Sequence, residues 1–314
     1  MELSVILCTY NRCQNLAPCL AAVARQEGLD SVAWEVVVVD NNSTDATRAT
    51  VERLAAELPI HLRYCFAADQ GLSHARNRGI EEAAGRYLCF MDDDITVTPG
   101  WLAALYHCFL DHDCDAAGGP IHLHPPRPLP AWIRPDMQGF LGFRDLGPEV
   151  RQLDGRREFP FGGNMAFDRR VVERIGLFDT ALGRKGEGRR RAELFKGEET
   201  DYFHRLAGAG GVIFYVPDAL VFHQVLEHQL HKRFFRTLHY NAGLLAARRD
   251  PECYPHTLAG VPLFLFRQLL RAALRYLWQV ARHGPSFAFR QQMTAGYFLG
   301  RVAGYARRRG PADR

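Results

Sequence analysis

The chain has 314 residues, of which 47% are hydrophobic and 24% charged, and its formal net charge is +4. That composition excludes a disordered chain and gives no case for nucleic acid as a partner, while the length carries one large domain or a catalytic domain with an appendage. From Arg267 onward there are ten arginines and one acid, Asp313, so the basic surplus points to an anionic surface or ligand for the C-terminal part alone.

The eight cysteines form no CxxC pair, and several sit in apolar runs. They read as reduced, buried thiols of a cytoplasmic protein, with neither a disulfide framework nor a zinc site. The N-terminal run Leu3–Cys8 is too short for a signal peptide and lacks its basic start, so secretion is not expected. No stretch reaches the 18 or so apolar residues of a membrane-spanning helix.

In chain order, Leu3–Cys8 reads as a buried strand followed by a helix to about Gln26. Trp34–Asp40 is a second strand, rich in β-branched residues, and Ser43–Leu58 a helix capped by Asn42 or Ser43. A weaker strand at Ile60–Phe66 precedes a helix from about Ser73 to Ala84 and a buried strand at Arg86–Met91. Apolar runs without clean polar alternation belong to strands covered on both faces, and the βαβαβ order predicts an α/β half-domain with its ligands beyond the carboxyl ends of the strands. Residues 119–160, rich in proline, read as irregular structure. Beyond them come Phe161–Phe167, a helix near Arg169–Ile175, a glycine- and arginine-rich loop at 183–197, a helix at 198–208, a strand at Val212–Val216 and a mostly helical remainder from 224.

Three polar clusters fall at predicted strand ends: Thr9–Arg12, Asp40–Ser43 and Asp92-Asp93-Asp94. Three adjacent acids call for a compensating cation, and hard oxygen ligands there suit Mg²⁺ or Mn²⁺ bound with a substrate phosphate; a solvated acidic turn is the alternative. Thr9, Tyr10, Asn11 and Arg12 are placed to frame a nucleobase or to cap the next helix. Asp40 is placed to accept from a base or ribose. Arg76, at the start of a helix, suits an anionic ligand.

The segments SVILCTYNR, VVVVDNNSTD, ADQGLSHARNRGIEEAAGRYLCFMDDD, FPFGGNMAFDRRVVERIGLFDTALG, GEETDYFHRL and VPDALVFH occur in one order. Together they resemble family 2 glycosyltransferases over about residues 1–223. The resemblance implies a GT-A fold, an α/β architecture with a Rossmann-like mixed sheet. It also implies inverting transfer of a sugar from a nucleotide-sugar, usually a UDP-sugar, with a divalent cation. The implied organisation is a catalytic domain at 1–223, made of a nucleotide-binding half at 1–118 and a donor-sugar and acceptor half at 119–223, with a helical extension at 224–314. By resemblance Thr9, Tyr10, Asn11, Arg12, Asp40, Asn42, Arg76 and Asp92 lie along the nucleotide, and Asp92 and Asp94 form the DxD pair with Asp94 the direct metal ligand. His223 is a third metal or pyrophosphate group, and Asp93 fills the variable middle place, where it is expected to be solvated and expendable. Gly163 and Asn164 approach the donor sugar and acceptor, with Asn164 bonding sugar hydroxyls. The family's Glu-Asp pair is replaced by Glu198-Glu199, which makes Glu199 the expected general base, with Glu198 and Asp201 as competitors and Glu198 also near the acceptor. The implied acceptor is a glycan or lipid-linked glycan of bacterial surface polysaccharide. A nucleotidyltransferase making a nucleotide-sugar would want a glycine-rich phosphate loop, and Cys8–Asn15 has no glycine; a silent sugar-nucleotide-binding protein would not need all of these acids.

The loop Arg184–Lys196 reads as a lid with arginines for an anionic acceptor, or as a solvated loop. Pro262–Arg282 reads as a helix whose Arg267, Arg271, Arg275 and Arg282 fall within an arc of about 80° at 100° per residue, opposite Phe264, Leu265, Leu269, Leu270 and Trp278. An interfacial helix on the inner face of an anionic membrane and a helix packed on the catalytic domain fit this pattern equally.

Overall fold

The computed structural model describes residues 1–188 and 190–307. Its elements run β1 (Leu3–Thr9), α1 (Cys13–Val23), β2 (Trp34–Asp40), α2 (Thr47–Glu57), β3 (Leu62–Phe66), α3 (Leu72–Glu82), β4 (Tyr87–Asp92), β5 (Ile95–Val97) and α4 (Trp101–His112). They continue with β6 (Ala116–Gly118), β7 (Ile121–His124), β8 (Arg151–Leu153), β9 (Met165–Asp168), α5 (Arg170–Ile175), α6 (Glu198–Gly208), β10 (Ile213–Tyr215) and β11 (Val221–Gln224). Three long helices follow: α7 (Lys232–Arg249), α8 (Leu263–Phe287) and α9 (Phe289–Ala306).

Eight strands form one mixed sheet in the order β3-β2-β1-β4-β9-β6-β10-β8, and β5-β11-β7 form a second. The pairs among β1 to β4 are parallel, whereas β9 runs antiparallel to both β4 and β6. Side chains alternate across each strand, so β1 sends Leu3, Val5 and Leu7 into a core shared with α1 and α4. Ile6 and Cys8 point into a second core shared with α3 and α6. Burial on both faces explains why these strands read as continuous apolar runs.

Four local readings are corrected. The second helix begins at Thr47, not Ser43, and neither Asn42 nor Ser43 caps it; Asp45 instead accepts from the Thr47 backbone N–H at 3.0 Å and from the backbone N–H of Cys13 at 3.0 Å. Residues 119–160 are not wholly irregular, because β7 and β8 lie within them and a 3₁₀ helix spans Pro135–Leu141. The strand before the triple acid extends through Asp92 itself. In the glycine-rich loop Leu194 is buried, and the Asn241 side chain of α7 donates to the carbonyls of Arg191 and Leu194; Arg189, of the same basic run, lies outside the described residues.

The chain divides into two compact units, one of residues 1–126, 141–187 and 197–225, the other of 127–140, 188–196 and 226–314. The first holds both large sheets. In the second, Gly243 and Gly300 let α7 and α9 meet backbone to backbone: a Cβ at Gly300 would lie 2.1 Å from the Tyr240 carbonyl oxygen.

Candidate active site

The register of β1 with its two parallel neighbours, Thr9 opposite Asp40 and Cys8 opposite Asp92, brings the three polar strand ends level at one sheet edge. The cation that three adjacent acids require is supplied by the chain. Arg12 Nη1 donates to Asp93 Oδ1 at 2.9 Å and to Asp94 Oδ2 at 3.0 Å. Thr9 Oγ1 donates to the other Asp93 oxygen at 2.8 Å. Asp93 is therefore not a solvated spacer: its side chain is 5% exposed and anchors the loop after β1. Burial pushes its carboxyl above the usual range, and Arg12 and Thr9 only partly oppose that.

Asp94 is equally buried, yet its Oδ1 has no hydrogen-bond partner among the described residues. That oxygen lies 3.5 Å from His223 Nε2. β11 holds the histidine there, since His223 pairs with Ile95 of β5 and the Gln224 N–H donates to the Asp94 carbonyl at 2.8 Å. Burial alone would raise the Asp94 carboxyl, but His223, Arg12 and Arg184 together hold it well below the usual carboxylate range. Among the described residues no group of three or more His, Cys, Asp or Glu is placed to hold a metal ion. One buried carboxylate oxygen beside an imidazole still fits a hard divalent cation that takes its other ligands from a diphosphate and water.

Arg76 joins this edge to α6. It is 2% exposed, donates from Nη1 to Glu198 Oε1 at 3.0 Å and from Nη2 to the Gly162 carbonyl at 3.2 Å, and lies 3.6 Å from Asp92 Oδ1. A Cβ at Gly162 would stand 2.5 Å from Arg76 Nη2 and would displace the guanidinium. Burial alone would lower the Arg76 pKa, and Glu198 and Asp92 more than offset it. Glu198 accepts on its second oxygen from the Gly197 N–H, so both of its oxygens are engaged. Asp201 accepts from Arg205 Nε at 2.9 Å along the same helix. Glu199 sits between them in the first turn of α6, half-buried.

The structure does not bring every expected residue to the site surface. Asn164 is fully buried: Trp101 Nε1 donates to its Oδ1 at 2.8 Å, and its Nδ2 donates to the carbonyls of Pro120 and Ala219. Its hydrogen-bonding groups are occupied, so it ties the core together and is not available to sugar hydroxyls. Gly163 does face the acids, with a Cβ there 3.5 Å from Asp92 Oδ2. Asp40 is buried and accepts from the Ser43 N–H and the Tyr64 hydroxyl, both at 2.8 Å. Asn42 is exposed, has a left-handed backbone (φ 65°) and donates to the Ala68 carbonyl. Asn11, also left-handed at φ 50°, accepts from the Thr44 N–H and so fixes its loop beside half-buried Tyr10. One contributor was not picked out from the sequence, Tyr64, which orients Asp40; Arg184, read there as the first arginine of a lid, acts by its charge on Asp94.

A family model described as "Glycosyl transferase family 2" matches residues 4–176. The succinoglycan biosynthesis protein ExoM of Rhizobium meliloti is 30% identical over 255 residues, covering 79% of this chain and 76% of that protein. A glucosyl-dolichyl phosphate glucuronosyltransferase of Haloferax volcanii is 28% identical over 204 residues, 60% of this chain and 59% of its own. Among solved structures, the mannosyltransferase PcManGT of Pyrobaculum calidifontis, in complex with GDP-Man and Mn²⁺, superposes with a TM-score of 0.63 at 21% identity, covering 97% of this chain and 86% of its own.

Proposed function

Because the chain belongs to glycosyl transferase family 2, we propose that it moves a sugar with inversion from a nucleotide-sugar, taken as a UDP-sugar, to a hydroxyl of a lipid-linked glycan, using Mg²⁺ or Mn²⁺. It is a glycosyltransferase with a mixed α/β fold similar to GT-A glycosyltransferases, and its relatives include a protein of polysaccharide biosynthesis. In the proposed division of labour residues 1–118 take the nucleotide and 119–223 the donor sugar and acceptor, with 224–314 as the helical extension.

The observation that carries this reading is the meeting of Asp94, with its open buried oxygen, His223, and the Arg76–Glu198 pair at one sheet edge. Asp94 and His223 would hold the cation, with the half-exposed Asp92 beside it. When bound, the cation neutralises the charge that grows on the departing nucleoside diphosphate. Tyr10 and the Asn11 loop lie along the nucleotide, while Asp40, Asn42, Thr9 and Arg12 shape its bed through the contacts described. Gly163 lets the donor sugar approach Asp92 closely.

Glu198 is engaged by Arg76, which supports Glu199 as the base. Its carboxylate takes the proton of the acceptor hydroxyl. The freed oxygen attacks the anomeric carbon opposite the diphosphate, the bond from that carbon to the diphosphate oxygen breaks, and one displacement inverts the configuration. The test is release of nucleoside diphosphate from a panel of UDP- and GDP-sugars, with Mn²⁺ or chelator. Release that needs the cation, and falls about 100-fold or more in Glu199→Gln while the donor still raises the melting temperature, is the expected result. Unchanged turnover in Glu199→Gln removes it as the base, and no release from any donor removes the reading.

A further inference from the structure

Helix α8 turns an apolar stripe outward. Leu263, Phe266, Leu270, Leu274, Leu277 and Trp278 are each between 37% and 60% exposed. At about 100° per residue they fall within an arc of about 120°. Only Leu265 and Ala272 of the helix are buried, on the opposite side. The expectation that Leu270 and Trp278 lie opposite the arginines is thereby corrected, whereas Leu265 does lie on the far side of the helix. Arg267, Arg271, Arg275 and Arg282 are exposed and run along one flank of the stripe, and Trp278 falls among them where the two arcs overlap. At its N-terminal end the apolar surface continues into a cleft lined by Tyr254, Pro255, His256, Leu263, Phe264 and Arg267.

A contiguous exposed apolar face of this kind needs a partner. We propose that this face of α8 lies in the interfacial layer of an anionic phospholipid bilayer, leucines and Phe266 toward the acyl chains and arginines among the headgroups. Charge selects this occupant over a second copy of the chain. Neither α8 nor α9 contains an aspartate or glutamate, so pairing two such helices would line the seam with arginines and supply no carboxylate to meet them. Anionic headgroups meet them directly, each basic residue adding an attraction near the surface. Up to the break at Gly284, where φ is 82° and ψ 167°, the helix is about 30 Å long at 1.5 Å per residue. Among the described residues no helix is long and apolar enough to cross a membrane, so the geometry is that of a helix lying in the surface plane. The inference rests on α8 alone and not on the acceptor assigned above.

The test is flotation of the full chain with vesicles of phosphatidylcholine, with and without about one-third phosphatidylglycerol. Wild type is expected to float at least ten-fold better with the anionic vesicles, with loss of binding in high salt. A blue shift of its fluorescence should disappear in Trp278→Phe. Leu270→Asp with Leu274→Asp, and separately Arg271→Glu with Arg275→Glu, should each cut binding at least ten-fold. All of these side chains are solvent-facing, so circular dichroism should be unchanged, and release of nucleoside diphosphate from a soluble donor should be retained. Equal flotation of wild type and the leucine variant overturns the proposal. So does absence of wild-type binding together with a dimer, seen by sedimentation velocity, that the leucine variant abolishes.

Discussion

Arg76 Nη1 donates to Glu198 Oε1 at 3.0 Å across 122 residues of chain, with both side chains almost wholly removed from solvent. A buried carboxylate whose counter-charge is deleted costs about 3–5 kcal/mol. Arg76→Met should therefore destabilise the first unit by about that amount in urea unfolding. Removing both charges, as Arg76→Met with Glu198→Leu, should cost clearly less than the sum of the two single changes. Additive losses would mean that the pair holds nothing together.

Asp93 and Asp94 should part company in a way that the motif alone does not suggest. Asp93→Asn weakens the bonds to Thr9 and Arg12 in a buried place and should lower stability by about 1–3 kcal/mol, visible in thermal unfolding without any ligand. Asp94→Asn loses a buried bond to the same arginine and should also lower ligand-free stability by about 1–3 kcal/mol, but it alone should abolish the further rise in melting temperature produced by nucleoside diphosphate with Mn²⁺. Matching effects of the two variants on both readouts would undo the division between anchor and ligand.

How much of this was legible follows from where each partner lies in the chain. Asp92, Asp94 and the β4 end were readable because a short apolar run and its acids are contiguous. The burial of Asp93 was not, because it depends on Arg12, 81 residues earlier. Asn164 read as a sugar-binding amide because its three partners, Trp101, Pro120 and Ala219, are distant in sequence. In α8 the periodicity revealed a basic stripe, but which side of a helix packs depends on what lies beneath it, and here the leucines face out.

The amide of Asn164 satisfies three otherwise buried groups at once. Asn164→Ala leaves the Trp101 indole N–H and the Ala219 carbonyl unpaired in the core, at about 1–3 kcal/mol each, while the Pro120 carbonyl keeps the Val221 N–H at 3.1 Å. The expected outcome is a loss of about 2 kcal/mol or more in denaturant unfolding, with the donor KM of the remaining folded enzyme little changed. A large rise in donor KM at unchanged stability would return Asn164 to the sugar.

The second unit should be acid-sensitive through His239. Burial pushes this imidazole down to about 4, with Arg290 adding to the effect and the Phe235 carbonyl, at 3.0 Å from Nδ1, opposing it. Its ring also meets Phe140 edge-on at 4.5 Å. In the unfolded chain the same group takes up a proton near pH 6.5. Between those two values the unfolded state binds the extra proton, so stability is full above about pH 6.5 and falls as the pH drops toward about 4, by at most about 1.4 kcal/mol per pH unit. Below that window both states are protonated and this contribution is level. His239→Phe keeps an aromatic ring against Phe140 and cannot titrate. Urea midpoints for unfolding of the second unit at pH 7.5, 6 and 5 should therefore fall more steeply in wild type than in the variant, and parallel slopes would show that His239 does not set the acid limit.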